Sequence, residues 1–369
     1  MPTMDHSAKP VFEKTGKNHF FNLLNKEVNS TVLKNPKIKN TLKLKSLILL
    51  SSFFLSYLCI LFLGNNLLLL YFFYCTTGIL MILVFLNGFH DAVHGAVFKN
   101  KKYNEWYTHI LEVFGSNSFI WKKRHLLLHH PYPNLQHWDI DIKQSDLVRI
   151  FPESKRFSYH KYQHIYMWFL YLFYTLNWLF IRDFKDFYGK NDNYLKRIIS
   201  IPKIEYYKLF AAKIINLQLF LGLPVWLLNH PWYTIFSAFL VMHLIASAFG
   251  VMSLISAHVD EHAEFPLPPK DGVIRTSWAE YQIRETKDFS TDSKFANFIF
   301  GGFNHHVAHH LFPHIAHTYY PHITPIIRRY AIEYNLPYQS FPLFKAIFSH
   351  FMLLKKSGRV ENLFVAGEI

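Results

Sequence analysis

The chain has 369 residues, is 51% hydrophobic with 37 Phe and 22 Tyr, and carries a formal net charge of +14. That aromatic content exceeds what a soluble globular core uses, whereas membrane spans with a basic cytoplasmic face account for both the rings and the charge. A pI near 9.5 would also suit a nucleic-acid binder, but the Lys and Arg residues lie outside the apolar runs and follow no nucleic-acid-binding motif.

Residues 1–45 are polar and end in Lys34, Lys37, Lys39, Lys43 and Lys45. No apolar core with a cleavage site opens the chain, so no signal peptide is expected and the N-terminus is placed in the cytoplasm. Two apolar runs follow, 46–63 and 67–87, parted only by Gly64, Asn65 and Asn66. A second pair, 209–228 and 232–257, is parted by Asn229, His230 and Pro231. Each run is about as long as the 17–25 residues that span hydrocarbon. Both turns are uncharged, and basic residues gather inside, so the turns are expected outside and the remainder in the cytoplasm. Lys213, near the start of the third run, is expected to snorkel to the interface. The stretch 165–181 could cross by length; its Trp168, Tyr171, Tyr174, Asn177 and Trp178 suit the membrane interface instead. The stretch 111–121 is read in the same way. Cys59 and Cys75, the only cysteines, both fall in apolar runs, which argues against a disulfide framework and any four-Cys metal site.

The expected organisation is therefore all-α and integral to the membrane. A basic cytoplasmic segment (1–45) precedes a transmembrane hairpin (46–88) and a cytoplasmic and interfacial region (89–207). A second hairpin (208–257) and a cytoplasmic region (258–369) complete it. The four spans would carry interfacial helices and a cytoplasmic helical cap.

Histidine carries the chemistry. Three clusters stand at span ends or beyond them: His90 and His94; His125, His129 and His130; His306, His309 and His310. His258 adds a further imidazole at the end of the fourth run. Spacings of three and four residues put imidazoles on one helical face. Neutral imidazole binds iron, zinc, copper and nickel. One such pair is commonly an ordinary polar contact, but three clusters delivered to one side of a membrane are harder to explain that way. Eight or nine imidazoles exceed the needs of one metal and suit two with open positions. Asp91, Asp260 and Glu261 are candidate acceptors for the outer ring nitrogens.

These clusters resemble the three histidine boxes of the membrane fatty acid desaturases, which read HxxxH, HxxxHH and (H/Q)xxHH. The stretches HDAVHGAVF from His90, WKKRHLLLHHPYPN from Trp121, AHVDEHAEFP from Ala257 and GGFNHHVAHHLFPHI from Gly301 resemble the boxes and their flanks. YHKYQHIYMWFLY from Tyr159 resembles the segment after box two in bacterial linoleoyl-CoA-type members. The resemblance covers roughly residues 45 to 340. It implies a di-iron site with ligands His90, His94, His125, His129, His130, His306, His309 and His310, and His258 as the additional ligand. His262, His305 and His314 fall outside the pattern and are read as structural. Front-end members carry Gln where this chain has His306, so HVAHHLF is closer to the methyl-end type. Leu254 stands where the animal stearoyl-CoA branch has an Asn that reaches iron through water.

The implied activity is oxygen-dependent introduction of a cis double bond into a long acyl chain carried by coenzyme A, carrier protein or lipid. Two irons and O2 would take part. No haem motif of fused cytochrome b5, iron–sulfur cysteine set or GxGxxG stands in the sequence. Electrons are accordingly expected from a separate ferredoxin or cytochrome b5-type partner, and no nucleic-acid partner is expected. Lys122, Lys123 and Arg124 are read as orientation charges, with coenzyme A phosphates the other option. A hydroxylase or ketolase with the same ligands is the alternative. A metal transporter is a further one, but it requires ionisable groups along a mid-membrane path, where His243 is the main example.

Overall fold

Hydrocarbon offers no hydrogen-bond partner, so uninterrupted apolar runs of this length must satisfy their backbones as helices. The computed structural model, which describes residues 9–13, 18–142, 145–189 and 194–360, is mostly helical. The two termini, expected in the cytoplasm, lie outside the described residues. In chain order come α1 (Asn18–Glu27), α2 (Leu42–Leu63), α3 (Leu67–Val93), α4 (Lys101–Thr108), α5 (Ser118–Arg124) and α6 (Gln163–Tyr171). They are followed by α7 (Lys203–Leu227), α8 (Trp232–His258), α9 (Trp278–Glu285), α10 (His306–Leu311), α11 (Tyr320–Glu333) and α12 (Leu343–Ser357). Two short parallel pairings clip distant segments together: β1 (Val11–Phe12) with β2 (Val273–Ile274), and β3 (Asp288–Phe289) with β4 (Ser340–Phe341).

Helices α2, α3, α7 and α8 have 22, 27, 25 and 27 residues and are apolar enough to cross a membrane. Three begin or end several residues beyond the apolar runs. Helix α2 starts at Leu42, which puts Lys43 and Lys45 in its first turn, and α7 starts at Lys203. Helix α3 runs on through a widened turn at Phe85–Phe89 to Val93, so His90 rides on the same rod as the second span.

Helix α3 lies between α2 and α8. A Cβ on Gly78 would meet the Met242 carbonyl oxygen of α8 at 2.4 Å, so only glycine permits this approach. Pro224 in α7 has no N–H to give the Phe220 carbonyl four residues back. The Tyr74 hydroxyl donates to that oxygen at 2.7 Å, and Tyr57 donates to the neighbouring Leu219 carbonyl at 3.0 Å. The two uncharged turns touch: the Asn229 N–H donates to Asn65 Oδ1 at 2.7 Å, and the His230 ring to the Gly64 carbonyl at 2.8 Å. Both turns therefore occupy one end of the bundle, and the histidine-bearing ends of α3 and α8 occupy the other.

The ambiguous stretch 165–181 enters and returns. Helix α6 breaks at Leu172 and Phe173, and the chain resumes as Tyr174–Asn177 and Trp178–Arg182. At its start, Gln163 donates to the Arg149 and Leu354 carbonyls; at its end, Arg182 donates to the Ile140 carbonyl. At its apex Thr175 bonds the His243 ring nitrogen at 2.9 Å, deep along α8. Both ends thus sit with the loops that flank the second histidine cluster. The stretch 111–121 is also interrupted, at Gly115 with φ of +85°.

Lys213 does not snorkel. Its ammonium is buried and donates to Asp183 and the Gly115 carbonyl, each at 2.6 Å, because a carboxylate from the re-entrant segment reaches it first. Arg124 is 1% exposed, ion-paired to Asp141 and Asp186 and stacked on Trp178. Lys122 pairs with Glu105 at 2.8 Å. Two members of that basic run are therefore bound to carboxylates of this chain.

Candidate metal centre

Local backbone geometry decides which imidazoles meet. The first cluster lies at the end of α3, with His90 on the last turn and His94 capping the helix one turn on. The second lies on the continuation of α5, His125–His129, which is wound as a π-helix; the His130 N–H donates to the His125 carbonyl at 2.9 Å. The wider turn aligns His125 with His130, five residues on, and turns His129 elsewhere. The third cluster is the α10 helix. Gly301 and Gly302, with φ of +56° and +87°, swing it in: a Cβ on Gly301 would strike the Leu86 carbonyl of α3 at 2.3 Å.

The nine histidines form two groups. His90, His94, His125, His130 and His309 make one, and His129, His258, His306 and His310 the other; within each, one nitrogen per ring lies within 4.8 Å of the rest. This departs from the spacing argument in one respect. His125 and His129 were expected on one face, as were His306 and His309, yet each pair is split between the groups. The π-turn separates the first pair. In the third cluster His306 goes with His310, and adjacent His309 points the other way. The groups abut, since the His130 and His310 ring centroids are 4.5 Å apart and those of His309 and His306 5.4 Å.

The nitrogen contacts test what could sit there. The Nε2 atoms of His90, His94 and His130 each lie 3.1 Å from His125 Nε2. One imidazole nitrogen carries either one proton or one lone pair, so it forms one hydrogen bond, not three. Donors about 2.1 Å from a shared ion at right angles would stand roughly 3 Å apart. In the second group His306 Nε2 is 2.6 Å from His258 Nε2. The Nε2 atoms of His309 and His310 are buried without any hydrogen-bond partner. The donor set fits metal ions of imidazole preference.

Outer partners fix several rings. His129 Nδ1 faces Asp139 at 3.1 Å, and Asp139 also accepts from the Asn134 N–H at 2.9 Å. His310 Nδ1 donates to Gln282 Oε1 at 2.8 Å, and His258 Nδ1 to the Glu285 carbonyl at 3.3 Å. The Tyr320 hydroxyl stands 3.5 Å from His309 Nδ1, and Asp141 lies 3.8 Å from His125 Nδ1. The hydrogen bonds occupy the outer nitrogens of His129, His310, His258 and His309 and leave Nε2 for the interior, while Asp141 faces the outer nitrogen of His125. Trp121 stacks on His125 at 4.5 Å and Phe303 packs on His90 at 4.5 Å, forming an apolar wall.

Burial, reinforced by neighbouring imidazoles, pushes His125, His130, His306, His309 and His310 well below the usual range. Burial likewise lowers His94, to about 3, against the opposing charge of Asp91. These rings are neutral, the form that coordinates metal. His129 is the exception: burial lowers it, but the charge and hydrogen bond of Asp139, helped by Asp141, more than offset this and raise it.

The acceptors proposed from sequence sit elsewhere. Asp91 accepts from His317 Nδ1 at 2.8 Å and from its N–H at 3.2 Å. Asp260 is ion-paired with buried Lys287. Glu261 is half-exposed beside His262, at 3.7 Å. His305 bonds Thr324 and Asn297, and His314 is exposed. Sequence reasoning missed Asp139, Asp141, Gln282 and Tyr320. The acidic WDID run just after box two was a signal for the first two; Gln282 and Tyr320 had none.

Comparison with known proteins gives the family. The sequence profile of the family described as fatty acid desaturase matches residues 39–342. An acyl-lipid (8-3)-desaturase of Physcomitrium patens is 31% identical over 89% of this chain and 68% of its own length. An sn-1 linoleoyl-lipid 6-desaturase of Synechocystis sp. is 31% identical over 74% of this chain and 76% of its own length. A similar acyl-lipid (8-3)-desaturase of Mortierella alpina is 29% identical over 69% of this chain and 57% of its own length. No solved structure matches. With the profile covering most of the chain and both histidine groups assembled, the protein belongs to the fatty acid desaturase family.

Proposed function

We propose that this chain is an oxygen-dependent fatty acyl desaturase of the membrane, in which each histidine group holds one iron ion. The observation that carries the reading is the convergence of three imidazole nitrogens on His125 Nε2, each at 3.1 Å. His90, His94, His125, His130 and His309 would hold one ion, and His129, His258, His306 and His310 the other. Bound iron supplies the oxygen-dependent removal of two hydrogens from adjacent methylenes. The chain's own residues prepare the place. Asp139, Gln282 and the Glu285 carbonyl hold their partner rings in one tautomer. Trp121 and Phe303 keep water from the cluster.

In this reading two hairpins, within 46–88 and 208–257, cross the membrane with their uncharged turns outside, which the contact between the two turns supports. The histidine groups then face the cytoplasm, alongside the lysines of 34–45. The relatives' names favour a lipid-linked acyl substrate and a bond counted from the carboxyl end, against the methyl-end spelling of box three. The ion pairs of Arg124 and Lys122 weaken coenzyme A phosphate binding at that run. Buried Lys213 and His243 are each held by a partner within this chain, Asp183 and Thr175, which disfavours transport. Electrons come from a separate one-electron carrier.

Expression in a host that lacks the activity, with double-bond mapping of its glycerolipids and acyl-CoA, tests the reading. A new cis double bond at a low-numbered carbon is expected. A hydroxyacyl product without a new double bond would assign the chain to the hydroxylase branch.

A further inference from the structure

Charge on this protein is unevenly compensated. Lys122, Lys208, Lys213 and Lys287 each meet a carboxylate. Between Val28 and His90 the sequence contains no Asp or Glu at all. Lys34, Lys37, Lys39 and Lys43 are exposed there and have no carboxylate partner among the described residues. The segment is not loose. Val32 and Ile38 belong to the apolar cluster that also holds Val307, Leu311, Ile323 and Ile327, so the lysines are pinned beside the third histidine cluster.

A cavity of about 300 Å³ opens at the same place, between the foot of α2 and the turn that enters α10. Lys45, Asn297, Gly302, His305, His317 and Thr318 line it. The Lys45 ammonium donates to the Phe298 carbonyl at 2.7 Å and meets His317 Nε2 at 3.2 Å. His317 Nδ1 in turn meets Asp91 at 2.8 Å, and Asp91 is covalently next to His90. From the surface cavity to a cluster histidine the bonded path is Lys45, His317, Asp91.

We infer that this cavity, with the lysines of the chain segment that leads to it, is the docking port of a small, acidic, one-electron carrier protein that reduces the histidine-bound metals. The inference rests on the functional reading above. Desaturation consumes O2, two hydrogens of the acyl chain, two electrons and two protons, and releases two waters. Two of the four electrons needed to reduce O2 come from the acyl C–H bonds, and the carrier supplies the other two, one per docking event. A carrier with a carboxylate-rich face complements four unpaired lysines, which steer its approach. A polybasic stretch that only held lipid headgroups would not require a bonded path from a cavity to the histidine cluster.

The test uses the full chain, metal-loaded, in nanodiscs of zwitterionic lipid and, separately, of anionic lipid. The quadruple variant Lys34→Glu, Lys37→Glu, Lys39→Glu, Lys43→Glu is compared with wild type. The probes are an acidic [2Fe–2S] ferredoxin and the soluble domain of cytochrome b5. Stopped-flow oxidation of the reduced carrier is followed across ionic strength, and dithionite reduction of the same samples serves as a bypass. With the carrier that supports wild-type turnover, the variant should lose about 10- to 100-fold in second-order rate at low salt. It should also lose the salt dependence, while dithionite reduces it as fast as wild type. Carbodiimide should crosslink the carrier to Lys37, Lys39 or Lys43 in wild type. A variant with the wild-type rate and salt slope would overturn the port. So would a defect seen only in nanodiscs of anionic lipid, which would give the lysines to headgroups. Wild type with no dithionite-reducible metal would overturn the functional reading, and the port with it.

Discussion

Two populations of buried histidine occur in this molecule, and their difference separates a metal centre from ordinary packing. His305, His317 and His350 have both ring nitrogens occupied: by Thr324 and Asn297, by Asp91 and Lys45, and by the Val259 carbonyl and Tyr171. Each is a satisfied polar side chain of the kind a folded interior normally holds. Eight of the nine clustered rings are as buried, with His94 partly so, yet their inner nitrogens face only other nitrogens. Burial without a partner destabilises a fold unless something absent from the polypeptide completes it. Burial does not distinguish the two sets, and neither does one unpaired nitrogen, since His164 and His243 each have one away from any group; the convergence of several ring nitrogens on one another does.

That contrast breaks if the two sets respond alike to substitution. The largest effect is expected from His125→Ala or His310→Ala. Each should abolish desaturation and lower bound metal, beyond the roughly 10–100-fold losses typical of outer-shell changes; metal analysis alongside product assay checks this. Next comes a buried group whose partner is internal. Lys213→Met leaves Asp183 unpaired inside the bundle and should destabilise by about 3–5 kcal/mol. Lys213→Met combined with Asp183→Leu should recover most of that in thermal unfolding. Equal loss in the single and double variants would deny the pairing. Asp139→Asn should weaken metal retention roughly 10- to 100-fold in a chelator titration, since His129 would lose the carboxylate that fixes its tautomer. The smallest effect is expected at the satisfied histidines. His305→Gln and His350→Gln should keep full metal content and change stability by about 1–2 kcal/mol. Metal loss there equal to that in His125→Ala would erase the distinction.

The spans were legible because hydrophobic length is a local property. The nine histidines were legible as candidates because they stand in short spaced clusters. Their division between two groups was not, because it depends on a π-turn at His125–His129 and on the left-handed glycines before α10. Spacing rules written for an α-helix assign His129 to the wrong partner. The outer acceptors were hidden for a different reason. Asp91, Asp260 and Glu261 are near histidines in sequence, but Asp91 is held by His317 and Asp260 by Lys287. Gln282 reaches His310 from a helix with no histidine of its own. Lys213 misled because snorkelling presumes that no carboxylate is nearer than water. The re-entrant segment supplies one.

The central claim is that the two nitrogen-lined groups each bind an iron ion. Metal analysis of protein purified from iron-replete cells, with Mössbauer spectroscopy of the same sample, tests it most directly. About two irons per chain in a nitrogen-rich environment are predicted, with iron lost in His125→Ala and kept in His305→Gln. Active wild-type protein carrying no iron, or iron that survives substitution in both groups, would contradict it.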